Sequence, residues 1–417
     1  MVRRRELLAT SAAALALAGH GIRPVSAAGE VVVGVLYAFS GPSAQVGIDA
    51  RHALETALDT INADHPDLDL PTAKGVGLSG LGGAKIRLVF ADHQADPQKG
   101  RAEAERLITQ DKVSAIVGCY QSGVSATVGA TCERYGVPFV CADSSSPSLT
   151  RRGLKYLFRP AANDEMFSAA MFDFMDGLRK KGQTIGSVAL FYEDTIYGVD
   201  SSNVQRKLAG ERGYKVAADV KYRTNSPSLT AEVQTIKTAG ADVLMPTSYT
   251  TDAILLTKTM SDLGYKPKAV VAQAAGFSEK AVYDTVGDKL QGLITRGSFS
   301  LDLAAKRPWV GTVNALFRKR AERDLTDNTS RPFMGLIVLA DALNRAGSTD
   351  GEKLRAALAA TDIPGTRTIM PWSKVAFDAT GQNPDADPVL LQWVGDKFVT
   401  VFPEAAAVAP PIWPMKA

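Results

Sequence analysis

The feature that most constrains this fold is a run of short apolar segments, each followed by a helix-length amphipathic one. The first, Val31-Val32-Val33-Gly34-Val35-Leu36, is apolar at consecutive rather than alternate positions. Such a segment reads as a strand buried on both faces, as in a parallel sheet covered by helices. The turn Ser40-Gly41-Pro42-Ser43 follows, with hydroxyls able to cap a helix. The spacing of Ala50, Ala53, Leu54, Ala57, Leu58 and Ile61 then predicts a helix over 44–63. Strands over 85–91, 114–118 and 137–142 alternate with helices over 96–110 and 122–135, the former capped by Asp96 ahead of Pro97. A βαβαβ order of this kind implies a parallel sheet with helices on its faces.

A second alternation begins after Arg159. It predicts helices over 167–180, 199–211, 229–239 and 251–263 and strands over 187–192, 216–222, 242–246 and 269–273. Helices over 308–323, 331–345 and 351–360 and short strands over 374–377, 389–394 and 397–402 complete the chain. The fold class is α/β, with two doubly wound parallel-sheet lobes. At 417 residues the chain is long enough to bury two cores, and no sequence repeat relates them.

Residues 1–28 read as a signal peptide: a basic head at Arg3-Arg4-Arg5, an apolar run from Leu7 to Ala18, then Gly19, Gly21, Pro24 and a small-x-small site near Val25-Ser26-Ala27. The apolar run is too short to span a bilayer. Both a twin-arginine signal and an ordinary secretory signal fit the arginines. The leader accounts for the whole formal charge of +3, so the remainder is neutral, which argues against nucleic acid as a partner. The expected location is periplasmic.

Cys119, Cys132 and Cys141 match no zinc or redox spacing and are expected as buried small apolar side chains, although an oxidising compartment would permit one disulfide. The four histidines form no metal-ligand pair at helical spacing, and no metal or cofactor is expected. The segment from Pro66 to Gly83 reads as a surface insertion. Its Gly75-x-Gly77-x-x-Gly80 precedes a strand, whereas a dinucleotide fingerprint must follow one and open a helix.

Ligands of open parallel sheets bind beyond the carboxyl ends of the strands. Three such turns in the first lobe carry hydroxyl or amide groups: Ser40-Gly41-Pro42-Ser43, Tyr120-Gln121-Ser122-Gly123 and Asp143-Ser144-Ser145-Ser146-Pro147. Helix N-termini there offer free N–H groups to a carboxylate, although each serine taken singly reads more readily as a cap. The second lobe presents Tyr192 to Gly198, Thr247 to Thr251, and Gln273-Ala274-Ala275-Gly276-Phe277. Tyrosines in such turns supply apolar contact and an orienting hydroxyl, or serve simply as core residues. The candidate ligand-binding residues are Tyr120, Ser122, Asp143, Ser145, Tyr197, Tyr249 and Gln273.

Several stretches resemble the Leu/Ile/Val type of periplasmic binding protein, the branched-chain amino-acid receptors of ABC transporters. They are Val33-Gly34 through Ser40-Gly41-Pro42-Ser43-Ala44-Gln45-x-Gly47, Ala91-Asp92-x-x-x-Asp96-Pro97, Val117-Gly118, Val137-Pro138-Phe139, Ser145-Ser146-Pro147-x-Leu149-Thr150 and Tyr197-Gly198. The resemblance runs across essentially the whole mature chain. It implies two lobes joined by a three-segment hinge, with the ligand in the cleft. Crossovers near Arg159, Gly297 and Pro364 would give a first lobe of 29–159 plus 298–364 and a second of 160–297 plus 365–417. By position, Ser122 and Ser145 would hold a ligand carboxylate beside the Asp143 backbone, Tyr197 and Tyr249 would close from the second lobe, and Val46 stands where such receptors carry an aromatic pocket residue.

One departure matters. Ala275 stands where such receptors carry a glutamate for the ligand ammonium. A buried ammonium without a counter-charge is costly. Either Asp143, Glu193 or Asp194 supplies the charge, or the ligand is an amide or a carboxylate without an ammonium. The expected function is a monomeric, non-catalytic solute receptor that closes on a small organic ligand and delivers it to an ABC-transporter permease. The alternatives are a ligand-sensing module for a membrane receptor and an α/β hydrolytic enzyme, for which Cys141 with Asp143, or Ser122, would be the nucleophile candidates.

Overall fold

A computed structural model describes residues 29–415, so the expected leader lies outside the described residues. The chain starts with β1 (Glu30–Tyr37), α1 (Ala44–Asn62), β2 (Lys85–Asp92), α2 (Pro97–Thr109), β3 (Ala115–Gly118), α3 (Ser122–Tyr135), β4 (Phe139–Cys141) and β5 (Leu157–Phe158). These five strands form one parallel sheet in the order β2-β1-β3-β4-β5. β3 and β4 are buried at every position, as their unbroken apolar runs require.

The chain then crosses into a second body: α4 (Asp164–Lys180), β6 (Ser187–Glu193), α5 (Ile196–Glu211), β7 (Lys215–Tyr222), α6 (Thr230–Ala239), β8 (Val243–Thr247), α7 (Thr250–Asp262), β9 (Ala269–Ala272), α8 (Lys280–Val286) and β10 (Ile294–Gly297). It returns as α9 (Pro308–Ala321), α10 (Asp327–Ala346), α11 (Gly351–Ala359), β11 (Asp362–Pro364) and β12 (Lys374–Ala376). It crosses again to β13 (Val389–Val394) and β14 (Lys397–Phe402). The second sheet runs β14-β13-β10-β9-β8-β6-β7, and β13 and β14 join it antiparallel. It is therefore mixed at one edge rather than wholly parallel. The two-residue turn at Gly395-Asp396 makes the β13–β14 pair antiparallel, because parallel neighbours need a crossover of a dozen residues or more.

The local signals act as expected where a side chain caps the helix. Asp96 accepts from the Gln98 and Lys99 amides, with Pro97 in the first turn of α2. Two expectations need correction. The helix expected over 331–345 starts at Asp327, because Thr326 and Thr329 form a reciprocal cap ahead of Arg331. Residues 365–387, expected in the second lobe, pack with the first. β12 pairs with β11, and Ile369, Met370, Trp372, Val375 and Ala386 enter the cluster that contains Val33, Leu54 and Ile337. Apolar burial ties this segment to the first core, and the third crossing falls at Asp387–Val389 rather than near Pro364.

The insertion at 66–83 is anchored rather than loose, since Leu68, Leu70 and Leu78 are buried in the first-lobe core. Gly80 is there for contact: a Cβ would lie 1.9 Å from the Asn344 carbonyl oxygen. Cys119, Cys132 and Cys141 are buried free thiols in the cluster on the other face of the first sheet.

Candidate functional site

The carboxyl ends of both sheets face each other, and three tyrosines meet between them. Tyr120 follows β3 in the first lobe. Tyr197, in the first turn of α5, and Tyr249, which precedes α7, come from the second. The Tyr249 ring lies 5.3 Å from that of Tyr120 and 5.2 Å from that of Tyr197, centroid to centroid. The Tyr197 hydroxyl donates to the Gln273 carbonyl oxygen at 2.6 Å, which fixes one end of the stack. The Tyr249 hydroxyl faces the Ser122 backbone amide at the start of α3. Desolvation pushes all three phenols well up, so they are neutral hydrogen-bonding groups.

Behind the tyrosines runs a buried chain of charges. Arg331, in α10, donates to the Asp143 carbonyl oxygen at 2.7 Å and approaches the Asp143 carboxylate at 3.5 Å. Arg331 also lies 3.2 Å from Asp327, and Asp327 lies 3.4 Å from Arg296 at the end of β10. The Arg296 guanidinium covers the Phe167 ring at 3.9 Å. Tyr37 donates to the other Asp143 oxygen. Burial pushes the Asp143 carboxyl up to about 6, while Arg331 opposes the shift. The chain links first-lobe residues to the second-lobe strand β10, and its two cations balance two acids.

Four buried polar atoms in this region have no hydrogen-bond partner among the described residues: the Tyr120 hydroxyl, Asp143 Oδ1, Arg296 Nε and Ser298 Oγ. Each such group costs about 1–3 kcal/mol unless something satisfies it. Glu279 adds a further polar group. It is buried at the lobe interface, accepts from Asn328 of α10, and burial pushes its carboxyl up to about 8. Nearer the surface, a space of about 590 Å³ lies between the lobes, lined by Ser43, Gln94 and Gln121 on one side and Thr195, Asn225 and Thr251 on the other.

The structure brings Tyr120, Ser122, Asp143, Ser145, Tyr197 and Tyr249 to the facing ends of the lobes. Ser122 and Ser145 are 1% and 3% exposed, and the Ser145 carbonyl oxygen accepts from the Asp164 amide. Gln273 is placed differently. Its Nε2 donates to Asp164 at 2.8 Å, and its Oε1 accepts from Ser168 at 3.3 Å and Gln205 at 3.1 Å. Its side-chain amide is thus used up inside the second lobe. Ala275 carries no carboxyl to the cleft, but Glu279, four residues on, brings one there from the same turn, and burial favours its protonated form. Sequence reasoning also missed Arg296, Asp327, Asn328 and Arg331. The signal was present in α10, where Asp327, Asn328, Ser330 and Arg331 precede a long apolar run, but only burial distinguishes such a first turn from a solvated one. Of the nucleophile candidates, burial pushes the Cys141 thiol up and away from thiolate, and the Ser122 hydroxyl bonds no base among the described residues.

Two α/β lobes joined by three crossings, with aromatic and charged groups converging between them, have the architecture of a two-lobed solute receptor. The chain belongs to the periplasmic binding protein family, whose model matches residues 30–397. It is 31% identical over 416 residues to Leu/Ile/Val-binding protein homolog 7 of Brucella suis biovar 1 (strain 1330), covering 97% of this chain and 98% of the relative. Homolog 8 of Brucella abortus (strain 2308) is 29% identical over 392 residues, covering 92% and 93%. A leucine binding protein from Thermotoga maritima shares the fold with a TM-score of 0.75 at 21% identity, covering 89% of this chain and 97% of that one. A solute binding protein of an ABC transporter from Rhodopseudomonas palustris BisB5, in complex with 3,4-dihydroxybenzoic acid, does so with a TM-score of 0.71 at 18% identity, covering 88% and 95%.

Proposed function

We propose that this protein is an exported receptor that closes its lobes on a small organic ligand and presents it to an ABC-transporter permease. The observation that carries the reading is the stack of Tyr120, Tyr249 and Tyr197 across the two lobes, surrounded by buried polar atoms that a ligand would satisfy. Closure of this kind shifts the protein to one state only by the ligand's differential contacts with it. The relatives' names and the solute-receptor structures support the same reading. The leader over 1–28 would route the chain to the periplasm, and a single chain supplies both walls of the cleft, so a monomer suffices.

The ligand we favour carries a donor nitrogen, as an amino acid or an amide does. Asp143 Oδ1 is an acceptor in search of a donor, and the Glu279 carboxyl, held by Asn328, is the acid nearest the position of Ala275. Ser122 and Ser145 would hold the ligand's oxygen end at the start of α3. The test is a thermal-shift screen of the mature protein against amino acids, amides and aliphatic and aromatic acids, with calorimetry on the hits. A hit among amines or amides, weakened at least tenfold by Glu279→Gln with Asp143→Asn, supports the assignment. Binding confined to acids without a nitrogen refutes it, and no shift with any compound removes the receptor reading.

A further inference from the structure

The second lobe carries a cavity of about 990 Å³ that shares no lining residue with the space between the lobes. Its floor is mostly aliphatic: Leu244 and Val270 from the sheet, Leu256 and Met260 from α7, and Leu290 and Leu293 ahead of β10. Sites for small organic molecules have this size and this apolar lining, with a few polar groups that orient the ligand. Every wall belongs to the second lobe, so movement between the lobes neither makes the cavity nor breaks it.

Two donors on the wall lack a strong acceptor. The Tyr265 side chain is 7% exposed, and its hydroxyl is buried with no partner among the described residues. Burial pushes its phenol up to about 12, so it stays a neutral donor. The Val270 amide donates to the Met415 sulfur at 3.2 Å, at a point where β9 has left its register with β10, which begins at Val271. A thioether is a weak acceptor. Met415 is held in place by its own amide, which donates to the Lys268 carbonyl oxygen at 2.8 Å. Both shortfalls are of an acceptor, and an anionic oxygen meets either one better than the chain does. The rim has the matching charge. Lys266, Lys268 and Lys289 are exposed there, with one acid, Asp288. Lys268 pairs with Asp242 at 2.5 Å, whereas Lys266 and Lys289 make no ion pair among the described residues.

We propose that this cavity is a second small-molecule site, separate from the cleft, and that it takes an aliphatic carboxylate. The chain lies on the leucine floor, and the carboxylate sits among the Tyr265 hydroxyl, the Val270 amide and the rim lysines. Met415 is an exchangeable cover, since its unbranched thioether side chain repacks at little cost.

The probe is decanoate, titrated by calorimetry into the mature protein, with decanol as its uncharged match. Saturable binding of decanoate is expected, with decanol weaker by about tenfold and with Lys266→Glu plus Lys289→Glu weakening decanoate by about tenfold. Spectra of isotope-labelled methionine methyls locate the ligand, because Met260 and Met415 line the cavity and should shift. Tyr265→Phe should melt higher without ligand, since it removes an unsatisfied hydroxyl, yet bind decanoate several-fold more weakly. A charge-matched control, Lys215→Glu with Lys221→Glu on β7, should bind as the parent does. No saturable binding, equal affinity for decanol, equal affinity in the Lys266→Glu, Lys289→Glu protein, or shifts confined to methionines outside the cavity would each overturn the proposal. Melting curves and circular dichroism confirm that each variant is folded.

Discussion

Arg159 offers the sharpest test of how the ligand-facing loop is held. It sits at the first crossing and is fully buried, yet no carboxylate among the described residues pairs with it. Its guanidinium donates to Gln382 Oε1 at 2.6 Å, to the carbonyl oxygens of Ser144 at 3.2 Å and Ser146 at 2.7 Å, and to Thr150 Oγ1 at 3.1 Å. The loop that carries Asp143 and Ser145 is thereby fastened to the segment before the third crossing. Hydrogen bonds to a charged donor contribute about 1.5–3 kcal/mol each, so four give roughly 6–12 kcal/mol gross. Burying the cation costs several kcal/mol, and its desolvation lowers the Arg159 pKa. Arg159→Met removes that cost but leaves Gln382 Oε1 unpartnered and takes one partner each from the Ser144 and Ser146 carbonyl oxygens and Thr150 Oγ1, for a net loss of about 3–5 kcal/mol. Melting should fall by on the order of 10 °C, and the urea midpoint should fall with it. Arg159→Lys should not rescue, because an ammonium cannot reach acceptors spread around a planar fork. A Met variant within about 1 kcal/mol of the parent, or a Lys variant equal to it, would refute the argument.

Three further outcomes follow from the same geometry. Burial raises Glu193 and Glu279 to about 8 from an ordinary 4.5, so folding retains their protons. Their contribution is fully present below pH ~4.5 and is lost as pH rises through 8, by an upper limit of about 5 kcal/mol each. Melting from pH 5 to pH 9 should decline, and Glu193→Gln with Glu279→Gln should flatten the decline; an unchanged slope contradicts the assignment. Gly80→Ala forces a Cβ onto the Asn344 carbonyl and should cost about 1–3 kcal/mol in chemical denaturation, whereas a neutral result would show that the insertion can shift. Trp372→Ala should cost about 3–5 kcal/mol in the first lobe while amides of 389–402 keep their hydrogen-exchange protection. Protection lost in the second lobe instead would move the third crossing back towards Pro364.

Much of this molecule was determined by its sequence. Strands buried on both faces can be read from consecutive valines such as Val31 to Val33. Helices such as α2 can be read from Asp96 and Pro97, because caps and periodicity are local. The turns after the strands likewise placed Tyr120, Ser122, Asp143, Ser145, Tyr197 and Tyr249 at strand ends. Tertiary structure decided what local patterns do not encode. It turned Gln273 into its own lobe and brought Glu279 into the cleft in place of an acid at position 275. It buried Arg296, Asp327 and Arg331 as one chain and drew residues 365–387 into the first core. The physical reason is that charge burial and core membership depend on partners distant in sequence. Asp143 and Arg331 are 188 residues apart, yet each sets the other's cost of burial.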